Sequence, residues 1–212
     1  MLALFSTKPG YLSYYVVLLL AILLFMLPDA AQQLLAYQRQ PLADGELWRL
    51  LSGHLLHSNF YHLLLNAGGL LIIMLLHGNY QRQLHLIWQL LFHALWISGL
   101  LYWLQPQVQQ YVGLSGVLHG LLFFGALLDI KTGKTGGVLL TLGILAKIGY
   151  EQYQGPDAEL GQLINATVAI DAHLYGVISG AVLFALLYLK YVWGKTTIRK
   201  GGSTDADQPD HD

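Results

Sequence analysis

Six apolar segments, separated by polar connections, organise this chain: residues 11–27, 60–76, 84–104, 115–128, 136–150 and 172–192. A helix needs about 20 residues, at ~1.5 Å of rise each, to cross ~30 Å of hydrocarbon. The pattern therefore predicts an all-α membrane protein with six transmembrane helices, several of them near or below full length. The first segment reads as a retained helix: only Lys8 precedes it as a charge, and Pro28-Asp29-Ala30 is a poor small-x-small cleavage site.

The connections carry an orientation signal. Lys8, Arg82, Lys131, Lys134, Lys195, Arg199 and Lys200 fall in alternate connections and the two termini. The opposite side receives Arg39 and Arg49 against Asp29, Asp44, Glu46, Glu151, Asp157, Glu159 and Asp171. The positive-inside rule then places both termini in the cytoplasm, as an even number of spans requires. Lys147, near the outer end of the fifth segment, can snorkel its amine to water. Residues 28–56 form a long outer connection in which Glu46-Leu47-Trp48-Arg49-Leu50-Leu51 is amphipathic, and Trp favours the headgroup level. Residues 1–200 form one transmembrane domain, and residues 201–212 read as a disordered polar tail.

Composition narrows the function. Of 212 residues, 55% are hydrophobic and 11% charged, and the mean hydropathy is +0.49, too few charges to cover a water-facing surface. A net charge of −1 and the lack of a basic patch argue against nucleic acid as a partner. With no cysteine, thiolate metal sites and a Cys nucleophile are excluded. No H-E-x-x-H, phosphate-binding glycine loop or pair of intramembrane aspartates is present, so no metal and no cofactor is expected.

The candidate chemistry lies in the short fourth segment. Its 14 residues reach about 21 Å, and Asp129 and Lys131 anchor its inner end at the cytoplasmic surface. Ser115 at its outer end then lies roughly 10 Å below the opposite surface. The polar run Gln105-Pro106-Gln107-Val108-Gln109-Gln110 leads down to it, which implies a wet pocket ending at Ser115. There the helix offers free N–H groups and its positive dipole end, suited to an oxyanion. The alternative is that Ser115 is an N-cap and Gly113 and Gly116 only permit close packing.

The sixth segment supplies a partner. Ala172, Gly176 and Gly180 form a small-residue face for close helix contact, and His173 stands beside it at matching depth. Ser115 as nucleophile and His173 as base make a candidate dyad. Asp171, two residues before His173, projects to the other side of a helix and is not a third member. His62 and Asn66, four apart on one face, are candidate oxyanion donors along with the Ser115 amide, and His57 can orient them. His119, one turn below Ser115, can stack under His173, hydrogen-bond to it, or compete as base; reaching back along its own helix ranks it behind His173. His54, His77, His85, His93 and His211 read as interfacial or structural.

Taken in order, these motifs resemble the rhomboid intramembrane serine proteases: Trp48-Arg49, His62-x-x-x-Asn66, Gly113-x-Ser115-Gly116, and Ala172-His173-x-x-Gly176-x-x-x-Gly180. The resemblance spans the six-helix core. It implies a rhomboid-like bundle with Ser115 as nucleophile, His173 as general base, and His62, Asn66 and the Ser115 amide as oxyanion donors. It also implies that the fifth helix and the first outer loop serve as gate and lateral support. Many rhomboids carry an aromatic residue where this chain has His119. The run from Gly113 to Gly120, in a short chain without a soluble domain, resembles the rhombosortase branch. That branch trims C-terminal anchors following a Gly-Gly signal on exported bacterial proteins, which implies transmembrane substrates and a bacterial inner membrane. Two other classes compete: a non-catalytic relative that binds client helices, and a bis-histidine haem protein suggested by nine histidines. No motif specifies an oligomeric state.

Overall fold

The computed structural model describes residues 11–82 and 85–201. Lys8, His211 and all but the first residue of the polar tail lie outside the described residues, as do the side chains of Arg82, Lys195, Arg199 and Lys200. Each of the six apolar segments contains a helix: α1 (Tyr11–Phe25), α5 (Phe60–His77), α6 (Leu86–Leu104), α7 (Ser115–Lys131), α8 (Thr135–Gln154) and α10 (Ile170–Gly201). Three stretches among the described residues are long and apolar enough to cross a membrane, Phe60–Tyr80, Leu86–Leu104 and Ile170–Val192; α1, with 15 residues, is a shorter apolar helix. Leu19 and Leu23 on α1, Leu64 and Leu75 on α5, Trp88 and Trp103 on α6, and Leu139 and Leu142 on α8 are all exposed. Such an apolar exterior is suited to lipid rather than water.

Helix α7 is central, in contact with α5, α6, α8 and α10. Val117, Leu118, Leu121, Phe123, Phe124 and Leu128 are buried on several sides of it, as an apolar helix surrounded by others requires. Leu70 and Ile73 of α5 and Leu86, Ile97 and Leu101 of α6 complete the main core. The C-terminal end of α7 is tied to its neighbours by a polar cluster. Asp129 is partnered as well as terminal: it accepts from Tyr80 Oη and Lys134 Nζ (2.8 Å) and pairs with His77 Nε2 at 3.1 Å. The cluster ties the ends of α5 and α7 to the turn before α8, and the Asp129 carboxylate raises the Lys134 ammonium above its ordinary range.

The long connection between α1 and α5 is more ordered than its sequence suggests. It holds α2 (Asp29–Leu35), β1 (Tyr37–Gln38), α3 (Arg39–Ala43) and α4 (Arg49–Ser52), and a further short helix, α9 (Ala158–Ile164), precedes α10. Strand β1 pairs antiparallel with β2 (Gln110–Tyr111), Tyr37 opposite Tyr111, so the segment leading to Ser115 is held by backbone hydrogen bonds. The amphipathic run is a turn followed by one helical turn, with Leu47 and Trp48 exposed and Arg49 buried. Arg49, 3% exposed, donates to Glu46 Oε2 at 2.6 Å and to the Gln33 and Ala36 carbonyls at 2.7 and 2.6 Å. Arg49→Ala strands two carbonyls and a carboxylate, a loss of about 2–4 kcal/mol. Thermal unfolding in detergent should show a lower Tm, which Arg49→Lys restores only in part because ammonium lacks the planar fork. An unchanged Tm in Arg49→Ala would discount this anchor.

Candidate active site

The approach to Ser115 is set by a glycine that no other residue replaces easily. Gly113 has φ +126°, outside the range of L side chains, and a Cβ there would meet His62 Nε2 at 2.7 Å. Its N–H donates to the Gly53 carbonyl at 3.1 Å, and its own carbonyl accepts from the buried Tyr111 hydroxyl at 2.6 Å. The chain thus turns sharply into α7 with Ser115 as its first residue and Leu114 at the cap position. Ser115 is not the N-cap. Its amide is among the first-turn N–H groups that have no carbonyl one turn earlier to bond.

Helices α7 and α10 meet backbone to backbone. A Cβ on Gly116 would lie 2.8 Å from the Ala172 carbonyl, one on Gly180 would lie 2.6 Å from the Gly120 carbonyl, and one on Gly176 would run into the Gly116 carbonyl. That approach brings the serine and histidine together. His173 Nε2 is 3.0 Å from Ser115 Oγ, and the His173 ring is buried.

Two further side chains contact the pair. His119 stacks on His173, ring centroids 4.2 Å apart and planes 21° from parallel, while its Nδ1 donates to the Ser115 carbonyl at 2.8 Å. Of the three roles open to His119, the stack is the one observed. On the other edge, His173 Nδ1 lies 3.1 Å from both oxygens of Glu151, which also accepts from Lys147 Nζ at 2.7 Å. The sequence reading missed Glu151 as a site residue. The available signal was an acid four residues after a lysine near the C-terminal end of an apolar helix.

His62 faces Gly113 through Nε2, and its Nδ1 is 2.9 Å from the Ser58 hydroxyl, which donates to the Ile164 carbonyl at 2.5 Å. The Asn59 side chain caps α5 by accepting from the His62 amide at 2.9 Å. One turn below, Asn66 Nδ2 donates to the His62 carbonyl at 3.2 Å, leaving a second N–H to offer. His57 packs edge-on to His62 with ring centroids 5.1 Å apart, and burial pushes its imidazole down to about 3. Ser58 and Tyr111 are the other positioning groups missed from sequence. His54 bonds Ser98 Oγ at 2.9 Å and His93 bonds Ser179 Oγ at 2.7 Å, both inside the bundle.

A cavity of about 320 Å³ opens on this side of the molecule, lined by Asp29, Gln32, Gln33, His57, Ser58 and Val112 among others. It borders the loop before Ser115, whereas the expectation placed a pocket at Ser115 itself. His119, Glu151 and His173 each offer one ligand atom, all within 4.8 Å of one another, a spacing that a divalent cation could bridge. A cation there would take a ring nitrogen of His173, and both are in hydrogen bonds, Nδ1 to Glu151 and Nε2 to Ser115, so metal binding competes with the observed contacts.

Among curated proteins, none matches the sequence. The profile of the Rhomboid domain matches residues 44–190, from the connection before Arg49 to the body of α10 and across every residue of the Ser115–His173 neighbourhood. With more than half of the chain covered, this integral membrane protein belongs to the rhomboid family, known for intramembrane serine proteases that act on transmembrane substrates.

Proposed function

We propose that the chain is an intramembrane serine endopeptidase in which Ser115 is the nucleophile and His173 the general base. The observation that carries this reading is the 3.0 Å contact between Ser115 Oγ and His173 Nε2 at the start of two helices packed backbone to backbone. His173 Nε2 takes the Ser115 proton as Oγ bonds to the scissile carbonyl carbon. The oxyanion is met by the Ser115 amide, the free Asn66 N–H and His62 Nε2–H, the tautomer in which His62 Nδ1 accepts from the Ser58 amide at 3.4 Å. The imidazolium then gives its proton to the departing amine as the C–N bond breaks, leaving an acyl-enzyme. Water attacks that ester and passes a proton to His173, which returns it to Ser115 Oγ as the C–O bond breaks and the carboxylic acid product leaves. No metal or cofactor is required.

The six apolar helices act as six membrane crossings, with both termini cytoplasmic and Ser115 toward the outer side. A substrate helix hides its amides in its own hydrogen bonds, so Gly near the cut, which weakens a helix by about 1 kcal/mol, favours cleavage. The run from Gly113 to Gly120, with His119 stacked on the base, supports a rhombosortase-type specificity for C-terminal Gly-Gly anchors of exported proteins in a bacterial inner membrane.

The test reconstitutes purified protein with a reporter bearing a Gly-Gly C-terminal anchor, and a second reporter with an unrelated transmembrane segment. Wild type should release the soluble reporter and label with a fluorophosphonate; Ser115→Ala should do neither. Cleavage of both reporters equally would retain the protease and remove the Gly-Gly specificity. Labelling or cleavage that persists in Ser115→Ala sinks the nucleophile assignment. A non-catalytic client-binding protein instead predicts that Ser115→Ala complements a deletion fully.

A further inference from the structure

We infer that Glu151 is the positioning residue of the Ser115–His173 pair: its carboxylate, delivered by α8, fixes the tautomer and orientation in which His173 Nε2 faces Ser115. The inference rests on the proposed dyad and deepens it from two side chains to three. A neutral imidazole carries its proton on either nitrogen, and only the Nδ1–H form leaves Nε2 free to accept from the serine hydroxyl. Both Glu151 oxygens lie 3.1 Å from Nδ1, and an ionised carboxylate can only accept, so this contact selects the Nδ1–H form.

Charge supports the same role. When Nε2 takes the serine proton, the ring becomes cationic in a buried site, which is costly without a counter-charge. Glu151 supplies one at hydrogen-bond distance, and its side chain is only 15% exposed, so water screens it little. Lys147 Nζ, 2.7 Å from Oε1, favours the ionised carboxylate. The charged and titratable groups set around the ring are His119 on α7, His62 on α5, and Lys147 and Glu151 on α8; Asp171, two residues before His173 on α10, projects to the other side of that helix. Glu151 is the acid among these that the structure puts in contact with the ring. His119 covers one face of the imidazole, so the ring is gripped by a stack and by a hydrogen bond at its edge.

The test uses the full chain in detergent or vesicles, comparing wild type, Glu151→Gln, Glu151→Asp and Glu151→Ala. Glu151→Gln should lower kcat by about 10²-fold with KM within about twofold. This is less than the ~10⁴-fold loss when a deeply buried triad aspartate becomes asparagine, because Glu151 shares its charge with Lys147. The acid limb of the rate profile should move to lower pH, since the imidazolium loses its counter-charge. Glu151→Asp should recover at least tenfold over Glu151→Ala. A purely structural tie between α8 and α10 predicts instead a lower Tm with an unmoved pH limb.

A second readout does not depend on turnover. In protein with ¹⁵N-labelled histidine, the His173 Nδ1–H proton should be strongly deshielded in wild type and lose that shift in Glu151→Gln. Wild-type turnover and pH limb retained in Glu151→Gln, or an unchanged Nδ1–H resonance, overturns the positioning role while leaving the dyad standing. Ser115-independent cleavage overturns the dyad and leaves the Nδ1 resonance to decide the Glu151 contact.

Discussion

Replacing His173 with alanine is expected to lower proteolytic turnover as far as Ser115→Ala does, roughly 10⁴–10⁶-fold, and the double variant should lose no more than either single one. Groups that act as one unit are grossly non-additive: once the serine has no base, or the base no serine, the second deletion has nothing left to remove. The basis is the single 3.0 Å contact between Nε2 and Oγ, with no second base at hydrogen-bond distance among the described residues. His119 is the nearest rival, but its Nδ1 is committed to the Ser115 carbonyl and its ring lies flat against His173. The measurement is single-turnover cleavage of a reconstituted transmembrane reporter by both single variants and the double. Additive losses, or a His173→Ala variant within about tenfold of wild type, would assign the proton transfer elsewhere, with His119 next to be tested.

The features legible in the sequence share one property: they repeat at helical spacing within a single segment. The six apolar blocks, the Ala172/Gly176/Gly180 face and the His62/Asn66 pair all belong to this class, and each is found on one helix in the structure. What was hidden depends on contacts between distant segments. Glu151 reads as one acid among several in the outer connections until α8 and α10 are set side by side, 22 residues from His173 along the chain. The β1–β2 ladder is too short, at two residues per strand, to leave an alternation to detect. Asp129 reads as a surface charge because a lone acid at a helix end usually is one; only the fold brings His77, Tyr80 and Lys134 around it. Arg49 was visible as part of a motif, yet its burial under the Gln33 and Ala36 carbonyls follows from how α2 folds back. Charged and polar residues in an apolar chain are therefore easy to find and hard to partner, because partnering is a tertiary event.

The second large effect tests whether helix contact sets the chemistry. Gly176→Ala adds one carbon that runs directly into the Gly116 carbonyl, and a backbone atom cannot rotate away as a side chain can. Helices α7 and α10 must then separate at the level of Ser115 and His173, which are one residue before Gly116 and three before Gly176. A displacement of about 1 Å at reacting groups costs on the order of 10²-fold in rate, so turnover and fluorophosphonate labelling should fall at least that far. The Tm should drop as well, because the buried contacts around Ala172 and Val117 loosen with the same movement. Gly99→Ala on α6 is the control: a Cβ there meets nothing within 4 Å, so it should leave turnover unchanged and stabilise by about 0.5–1 kcal/mol. If Gly176→Ala cleaves like wild type, the dyad does not depend on the approach of these two backbones. The small-residue face would then be packing without catalytic consequence. If instead activity falls while the Tm holds, the glycine acts mainly by setting the distance between two side chains, the more demanding of its two tasks.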